Sequence, residues 1–109
     1  MALVIVDAQN VRRSEWPNIA PEALVAAVRA WAEAEGHEPL IVFDGRAPDG
    51  AVGVRGEIAD DWIARRAAEL DEPYWLVTSD RGLRARAGGA AERVIGGGSF
   101  ARELRGYRR

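Results

Sequence analysis

Residues 3–7 read Leu-Val-Ile-Val-Asp, a short unbroken apolar run that ends in an aspartate. Such a run fits a strand that is covered on both faces, as in a parallel sheet. Two further runs, LIVF at 40–43 and YWLVT at 74–78, are followed by Asp44-Gly45 and by Ser79-Asp80. The repeated pattern predicts parallel strands with carboxylates near their carboxyl ends.

Helical patterns alternate with these strands. Leu24, Val25, Val28, Trp31 and Ala32 form one apolar stripe, which Pro21 precedes and Gly36 follows, as expected at the start and end of a helix. Further helices are predicted at about 58–70, at 81–86 and after Ser99, which we interpret as an N-cap. A weak strand is predicted at 93–95, and loops are predicted at 12–18 and 46–56. This order predicts an α/β fold in three layers, a parallel sheet with helices on both faces.

The composition excludes several kinds of site. The chain has 109 residues, a length typical of one domain, and we treat 1–109 as a single domain. It has no cysteine, which excludes disulfides, thiolate zinc sites and cysteine nucleophiles. All 15 basic residues are arginine, and the one histidine is His37, which we expect in an exposed loop. Lysine chemistry and histidine metal clusters are therefore excluded, and the abundant acid–base and ligand groups are carboxylates.

The first residues show no targeting pattern. The apolar run from Ala2 to Val6 has no basic segment before it and is too short for a signal peptide or a membrane span. We therefore expect a cytoplasmic protein with no membrane partner.

Four aspartates are the candidate functional residues. Asp7, Asp44 and Asp80 each follow a predicted strand, and the carboxyl ends of parallel strands meet at one edge of a sheet. Any one of them could instead be a helix cap or a turn residue, but three at equivalent positions favour a shared site. On the helix that begins near 58, Asp60 lies at the margin of the buried face, whereas Asp61 faces solvent.

The neighbours of Asp60 have simpler interpretations. Asp61 has Arg65 four residues further on, a spacing that favours an exposed ion pair. Glu57 precedes the same helix and could be either a cap or an outer ligand.

Several carboxylates that face one another repel unless a cation lies between them, and Mg²⁺ or Mn²⁺ prefers such oxygen ligands. The sequence therefore predicts a site for one or two Mg²⁺ or Mn²⁺ ions.

The ordered motifs resemble a known family. Asp7-Ala8-Gln9-Asn10, the stretch NVRRSEWPN at 10–18, Phe43-Asp44-Gly45, EIADDWI at 57–63, TSDR at 78–81, and Ser99-Phe100 with Glu103-Leu104 occur in the order typical of NYN domains. These are PIN-like ribonucleases, and the likeness is greatest to their YacP-like branch. The resemblance covers nearly the whole chain.

The resemblance implies a PIN-like (NYN) fold and a metal-dependent endoribonuclease with Asp7, Asp44, Asp60 and Asp80 around Mg²⁺ or Mn²⁺. It implies that Asn10 supports Asp7 or a phosphate; Ser79 and Glu57 are further candidates for an outer shell. The chain departs from the family between Asp44 and Glu57, where the usual longer insert with a further strand is reduced to residues 52–54. This departure bears on the RNA groove and on a dimer contact.

A basic region accompanies the acidic one. Although the net charge is −2, residues 81–109 contain eight arginines against two glutamates, a net charge of +6. Arginine is suited to phosphate, and an exposed aromatic side chain can stack on a base. The candidate RNA contacts are Arg12, Arg13, Arg46, Arg81 and Trp16, although Trp16 could equally pack against the first long helix.

The sequence leaves several alternatives open. A non-catalytic RNA-binding module could use the same fold, and a small nucleotide phosphohydrolase could use the same carboxylates. A toxin of a toxin–antitoxin pair, a homodimer, and association with the ribosome or with tRNA are also compatible with these residues.

Overall fold

A computed structural model describes residues 1–108, and in this part of the chain five parallel strands form one sheet. The strands are β1 (Leu3–Asp7), β2 (Glu38–Asp44), β3 (Val52–Val54), β4 (Tyr74–Val77) and β5 (Arg93–Ile95). They lie side by side in the order β3-β2-β1-β4-β5, and each neighbouring pair is parallel. The predicted parallel sheet is confirmed, and residues 52–54 form its short edge strand.

The helices connect successive strands. They are α1 (Ala8–Arg13), α2 (Pro21–Glu35), α3 (Ala59–Ala68), α4 (Arg81–Leu83) and α5 (Gly97–Leu104), and α4 continues into a π-helical turn at Arg84–Gly88. Gly36 ends α2 in the left-handed conformation, with φ of 74°, as expected of a glycine at this position. Among residues 1–108, no helix is long and apolar enough to cross a membrane.

Two predicted boundaries are wrong. Arg12 and Arg13 belong to the last turn of α1 and not to a loop, because Ala8 and Val11 are buried at helical spacing. Ser99 is not the N-cap of α5, since Gly96 occupies that position with extended backbone and the helix begins at Gly97. The N–H of Gly97 instead donates a hydrogen bond of 2.8 Å to the hydroxyl of Ser79, which replaces a local side-chain cap.

The two faces of the sheet have separate apolar cores. Along β1, Val4 and Val6 pack towards α1, α2 and α5, whereas Leu3 and Ile5 pack towards α3 and α4. This alternation follows from the two-residue period of a strand, and both sets are buried because helices cover both faces. The structure therefore confirms the three-layer α/β architecture.

His37 differs from its expected place in an exposed loop. Its ring is half-buried and lies 5.4 Å from the ring of Trp31 and 4.3 Å from that of Trp75, measured between centroids. Its Nδ1 accepts a hydrogen bond from the backbone N–H of Ala2 at 3.2 Å. His37 directly precedes the amino end of β2, whereas the candidate site lies at the carboxyl ends of the strands. Its imidazole therefore has a packing role away from that site.

Candidate active site

The strand order creates a crevice at the carboxyl ends of β1 and β4. The chain leaves β1 towards β2 on one side, and β4 pairs with the other side of β1. Open parallel sheets bind ligands at such a switch point. Asp7 is the last residue of β1, Asp44 is the last of β2, and Asp80 lies three residues beyond β4.

One open pocket of about 300 Å³ occupies this crevice. The four predicted aspartates, which come from four separate segments of the chain, all contribute to its wall. The full set of lining residues is Asp7, Gln9, Asn10, Arg13, Asp44, Ile58, Asp60 and Asp80. The structure therefore brings the four carboxylates to one place, as their positions after strands and at a helix margin had suggested.

Asp7 is the buried member of the group. Its side chain is 6% exposed, and its Oδ2 accepts a hydrogen bond of 2.8 Å from the hydroxyl of the fully buried Thr78. Burial raises the pKa of Asp7 to about 6; the Thr78 hydroxyl opposes this shift, and the negative charges of Asp60 and Asp80 add to it. Part of the Asp7 population is therefore protonated near neutral pH.

Asp60 lies in the first turn of α3 and is half-buried. Burial raises its pKa above the ordinary value, and the negative charges of Asp80 and Asp44 raise it further. Asp61, one residue on, makes an exposed ion pair with Arg86 at 2.7 Å. The expected pair of Asp61 with Arg65 is wrong, because Arg65 makes a two-pronged contact with Glu57, at 2.7 Å between Nη1 and Oε1.

Asp44 and Asp80 each combine a capping contact with a place in the pocket wall. The Oδ1 of Asp44 accepts a hydrogen bond of 2.6 Å from the N–H of Ala59 and so satisfies the first turn of α3. The Oδ1 of Asp80 accepts one of 2.8 Å from the N–H of Leu83 as the N-cap of α4. These contacts fix the orientation of both carboxylates.

Asn10, which lines the pocket, and Ser79 connect α1, the segment after β4 and the start of α5. The side-chain Oδ1 of Asn10 accepts a hydrogen bond of 2.8 Å from the N–H of Ser79, and the Ser79 hydroxyl accepts the one from Gly97. A Cβ at position 97 would lie 2.2 Å from Oδ1 of Asn10, so only glycine allows this approach. The side chain of Asn10 therefore acts on the segment after β4, where Asp80 is found.

The other predicted residues lie outside the pocket wall, except for Arg13. Arg12 donates from Nε to the carbonyl of Ile19 and from Nη1 to Oε1 of Gln9, both at 2.6 Å. Arg46 lines a separate pocket beside Pro21 and Glu22. Glu57 makes an ion pair with Arg65, and Arg81 is exposed next to Asp80 in the chain. Trp16 is 91% exposed, which excludes its packing against α2.

Thr78 is the functional candidate that the sequence did not reveal. Its hydroxyl also accepts a hydrogen bond of 3.1 Å from the N–H of Asp80, so one side chain connects two of the four aspartates. The run at 74–78 assigned Thr78 to the end of a strand, and its place next to Ser79-Asp80 was the available signal. Gln9 and Ile58 also line the pocket, and no sequence pattern distinguishes them.

The donor set suits a hard divalent cation. Four carboxylates supply the oxygen ligands that Mg²⁺ and Mn²⁺ prefer. Burial is the main cause of the raised pKa values of Asp7 and Asp60, and the neighbouring carboxylates add a repulsion that a cation would relieve. Within residues 1–108, no three carboxylate or imidazole side chains converge closely enough to form a ready-made metal site. Binding would therefore require the aspartate side chains to turn towards the ion.

The fold and pocket define an α/β protein with an acidic crevice at the switch point of a parallel sheet. Its architecture is similar to that of Rae1 (YacP) from Bacillus subtilis. The crystal structure of a point mutant of Rae1 aligns with a TM-score of 0.77 at 19% identity, over 96% of this chain and 75% of that chain. A second Rae1 crystal structure gives 0.72 at 17% identity, over 98% and 75%. The chain therefore has a YacP-like fold; no family model and no curated protein sequence matches it.

Proposed function

We propose that this chain is a metal-dependent endoribonuclease that hydrolyses RNA phosphodiester bonds. The observation that carries the proposal is the convergence of Asp7, Asp44, Asp60 and Asp80 on one open pocket. Support also comes from the resemblance of the motifs to NYN domains and from the YacP-like fold.

Asp7, Asp60 and Asp80 are the proposed ligands of Mg²⁺ or Mn²⁺, and Asp44 completes or orients the set. A bound ion of this kind supplies an activated water molecule and steadies the leaving oxygen in phosphodiester cleavage. Thr78 holds Asp7 and the backbone of Asp80 in place, at 2.8 and 3.1 Å, while Asp44 fixes the start of α3 that carries Asp60. Catalysis by such a site depends on this positioning.

Arginines near the pocket provide the proposed phosphate contacts. Arg13 lines the pocket itself, and Arg81 is exposed next to Asp80. A guanidinium can bind a phosphate through two parallel hydrogen bonds as well as through its charge. Arg46, which lines a separate pocket beside Pro21 and Glu22, is a more distant candidate for the same role.

Cleavage of an RNA oligomer with Mg²⁺ or Mn²⁺ tests the proposal, and two adjacent aspartates provide a matched pair of variants. Asp60→Asn removes a pocket carboxylate, whereas Asp61→Asn removes an exposed one that pairs with Arg86. We expect Asp60→Asn to lower the cleavage rate by at least about 100-fold and Asp61→Asn to leave it within about twofold.

Other outcomes identify the alternatives. RNA binding without cleavage by the wild-type chain in Mn²⁺ would identify a non-catalytic RNA-binding module. Hydrolysis of a free nucleotide in preference to the oligomer would identify a nucleotide phosphohydrolase. Cleavage that persists in Asp60→Asn at the wild-type rate would place the site elsewhere.

A further inference from the structure

Trp16 stands out among the tryptophans because its side chain is almost wholly in solvent. It is 91% exposed, whereas Trp31 is 2% exposed and Trp62 and Trp75 are half-buried. Tryptophan has a large apolar surface and is highly buried on average. An indole left in water in this way is available to a binding partner.

The loop that carries Trp16 is fixed at several points. Arg12 and Ile19 exchange two hydrogen bonds across the loop, from the Ile19 N–H to the Arg12 carbonyl at 3.2 Å and from the Arg12 Nε to the Ile19 carbonyl at 2.6 Å. Glu15 makes ion pairs with Arg105 at 3.0 Å and with Arg108 at 2.9 Å. Because its neighbours are tied down, the indole is presented on an ordered support.

The surroundings of this loop are basic. A pocket of about 400 Å³ next to Trp16 is lined by residues 17–20, Ala23, Arg105 and Arg108. Glu15 neutralises one of these two arginines, and the side chain of Arg105 is 61% exposed. Arg13, three residues before Trp16 and therefore at most about 11 Å from it along the chain, lines the acidic pocket. Glu15, the residue before Trp16, contacts Arg105 and Arg108, so positively charged groups accompany the chain before Trp16 and the pocket after it.

We propose that Trp16 stacks on an unpaired base of single-stranded RNA, with Arg105 and Arg108 on the backbone to one side and Arg13 on the side of the acidic pocket. An aromatic platform flanked by cations is the arrangement by which proteins hold single strands, because every unpaired base has a free face. A base inside a duplex is already stacked on both faces. This inference rests on the proposed ribonuclease function and adds to it a base-binding position at Trp16, outside the acidic pocket.

The test measures RNA binding separately from cleavage. Asp7→Asn, with Mg²⁺ present, serves as the cleavage-deficient background, and the probes are a labelled single-stranded oligomer and a hairpin whose stem contains the same sequence. We expect Trp16→Ala to weaken binding of the single strand by about 5- to 100-fold and Trp16→Phe to weaken it much less, because phenylalanine keeps a stacking face. The single strand should also quench the intrinsic fluorescence of the wild-type chain, and Trp16→Phe should abolish most of that quenching.

The phosphate part of the surface has its own matched control. Arg105→Ala should weaken binding and reduce its dependence on salt, whereas Arg66→Ala, at an exposed position on α3, should change neither. Unchanged affinity in Trp16→Ala, equal losses in the Ala and Phe variants, or equal binding of hairpin and single strand would each overturn the inference. A wild-type chain that cleaves RNA while Trp16→Ala binds normally would refute this inference and leave the proposed function intact. RNA binding that depends on Trp16, in a wild-type chain that does not cleave RNA, would support the role of Trp16 and refute the proposed ribonuclease function.

Discussion

The hydroxyl of Thr78 donates a hydrogen bond of 2.8 Å to Oδ2 of Asp7, and both side chains are buried. A buried carboxylate is costly unless its charge is matched, and one neutral hydroxyl supplies only part of that compensation. Asp60 and Asp80 add negative charge nearby. The fold therefore holds Asp7 in a position that disfavours its charged form, and a cation bound nearby would favour that form instead.

Replacement of Asp7 by asparagine should stabilise the metal-free protein. The folded-state pKa of Asp7 is about 6 against an ordinary value of 3.8, so the folded chain binds this proton more tightly than the unfolded chain. The stabilisation from protonation is complete below the ordinary pKa and is lost as the pH rises through about 6, which costs about 3 kcal/mol above pH 7. We expect Asp7→Asn to raise the free energy of unfolding by about 1–3 kcal/mol at about pH 7.5.

Chemical denaturation in a chelator at several pH values measures this effect. The advantage of Asp7→Asn should shrink as the pH falls towards the ordinary aspartate pKa, whereas the surface variant Asp61→Asn should show no comparable gain. A stabilisation of Asp7→Asn that is independent of pH would contradict the assignment of the raised pKa to this carboxyl.

Thr78→Val tests the hydroxyl that connects two of the aspartates. Valine has nearly the same shape but cannot donate to Asp7 or accept from the N–H of Asp80. We expect a loss of about 1–3 kcal/mol in the free energy of unfolding, and a further rise in the pKa of Asp7 that moves the acid limb of a pH–rate profile to higher pH.

Thr78→Ser is the control, because it keeps the hydroxyl and removes only a methyl group. The serine variant should retain the wild-type pH profile even if it loses some stability. A pH profile that is the same in the valine variant as in the wild type would show that the hydroxyl has no part in setting the protonation of the site.

The sequence predicted the place of the pocket because strand geometry determines it. The alternation of apolar runs and helical stripes predicts parallel strands. The carboxyl ends of parallel strands lie at the same edge of the sheet, so strands that end in Asp7 and Asp44 bring these two residues together there. Helical periodicity likewise separated Asp60 from Asp61, and the structure places Asp60 in the pocket wall and Asp61 in a surface pair with Arg86.

The contacts between distant side chains could not be predicted in the same way. Arg65 has Asp61 at favourable helical spacing but contacts Glu57. The ion-pair partner of Arg65 depends on the direction of the chain just before α3, and no local sequence pattern predicts that direction. Thr78 looked like the end of a strand, and only the packing of β4 against β1 shows that its hydroxyl faces Asp7.

Addition of Mn²⁺ should raise the melting temperature of the wild-type protein. The ion would bind the folded pocket and not the unfolded chain, so stability rises with the logarithm of its concentration. At about 100 times the dissociation constant the expected gain is about 2.7 kcal/mol, which corresponds to a shift of roughly 10 °C or more for a domain of this size. Asp7→Asn should show a much smaller shift, and Asp61→Asn a shift like that of the wild type. Equal shifts in all three proteins would indicate binding outside the pocket.

Gly97→Ala should disrupt the contact by which α5 supports the site. A Cβ at this position would lie 2.2 Å from Oδ1 of Asn10, so Asn10 must leave the N–H of Ser79 or α5 must move. We expect a loss of about 1–3 kcal/mol in the free energy of unfolding, together with reduced cleavage, because the segment that carries Asp80 loses its anchor.

Gly98→Ala is the matched control for this substitution. Its Cβ would approach nothing closer than the Arg102 guanidinium at 3.8 Å, and alanine is the better helix former, so its stability should be unchanged or up to about 1 kcal/mol higher. Repeating Gly97→Ala in an Asn10→Ala background completes a double-mutant cycle. Because the clash is with the Asn10 side chain, the cost of Gly97→Ala should fall by at least about 1 kcal/mol in that background. A strictly additive cycle would show that α5 tolerates the methyl group by another route and that its contact with Asn10 does not hold the site.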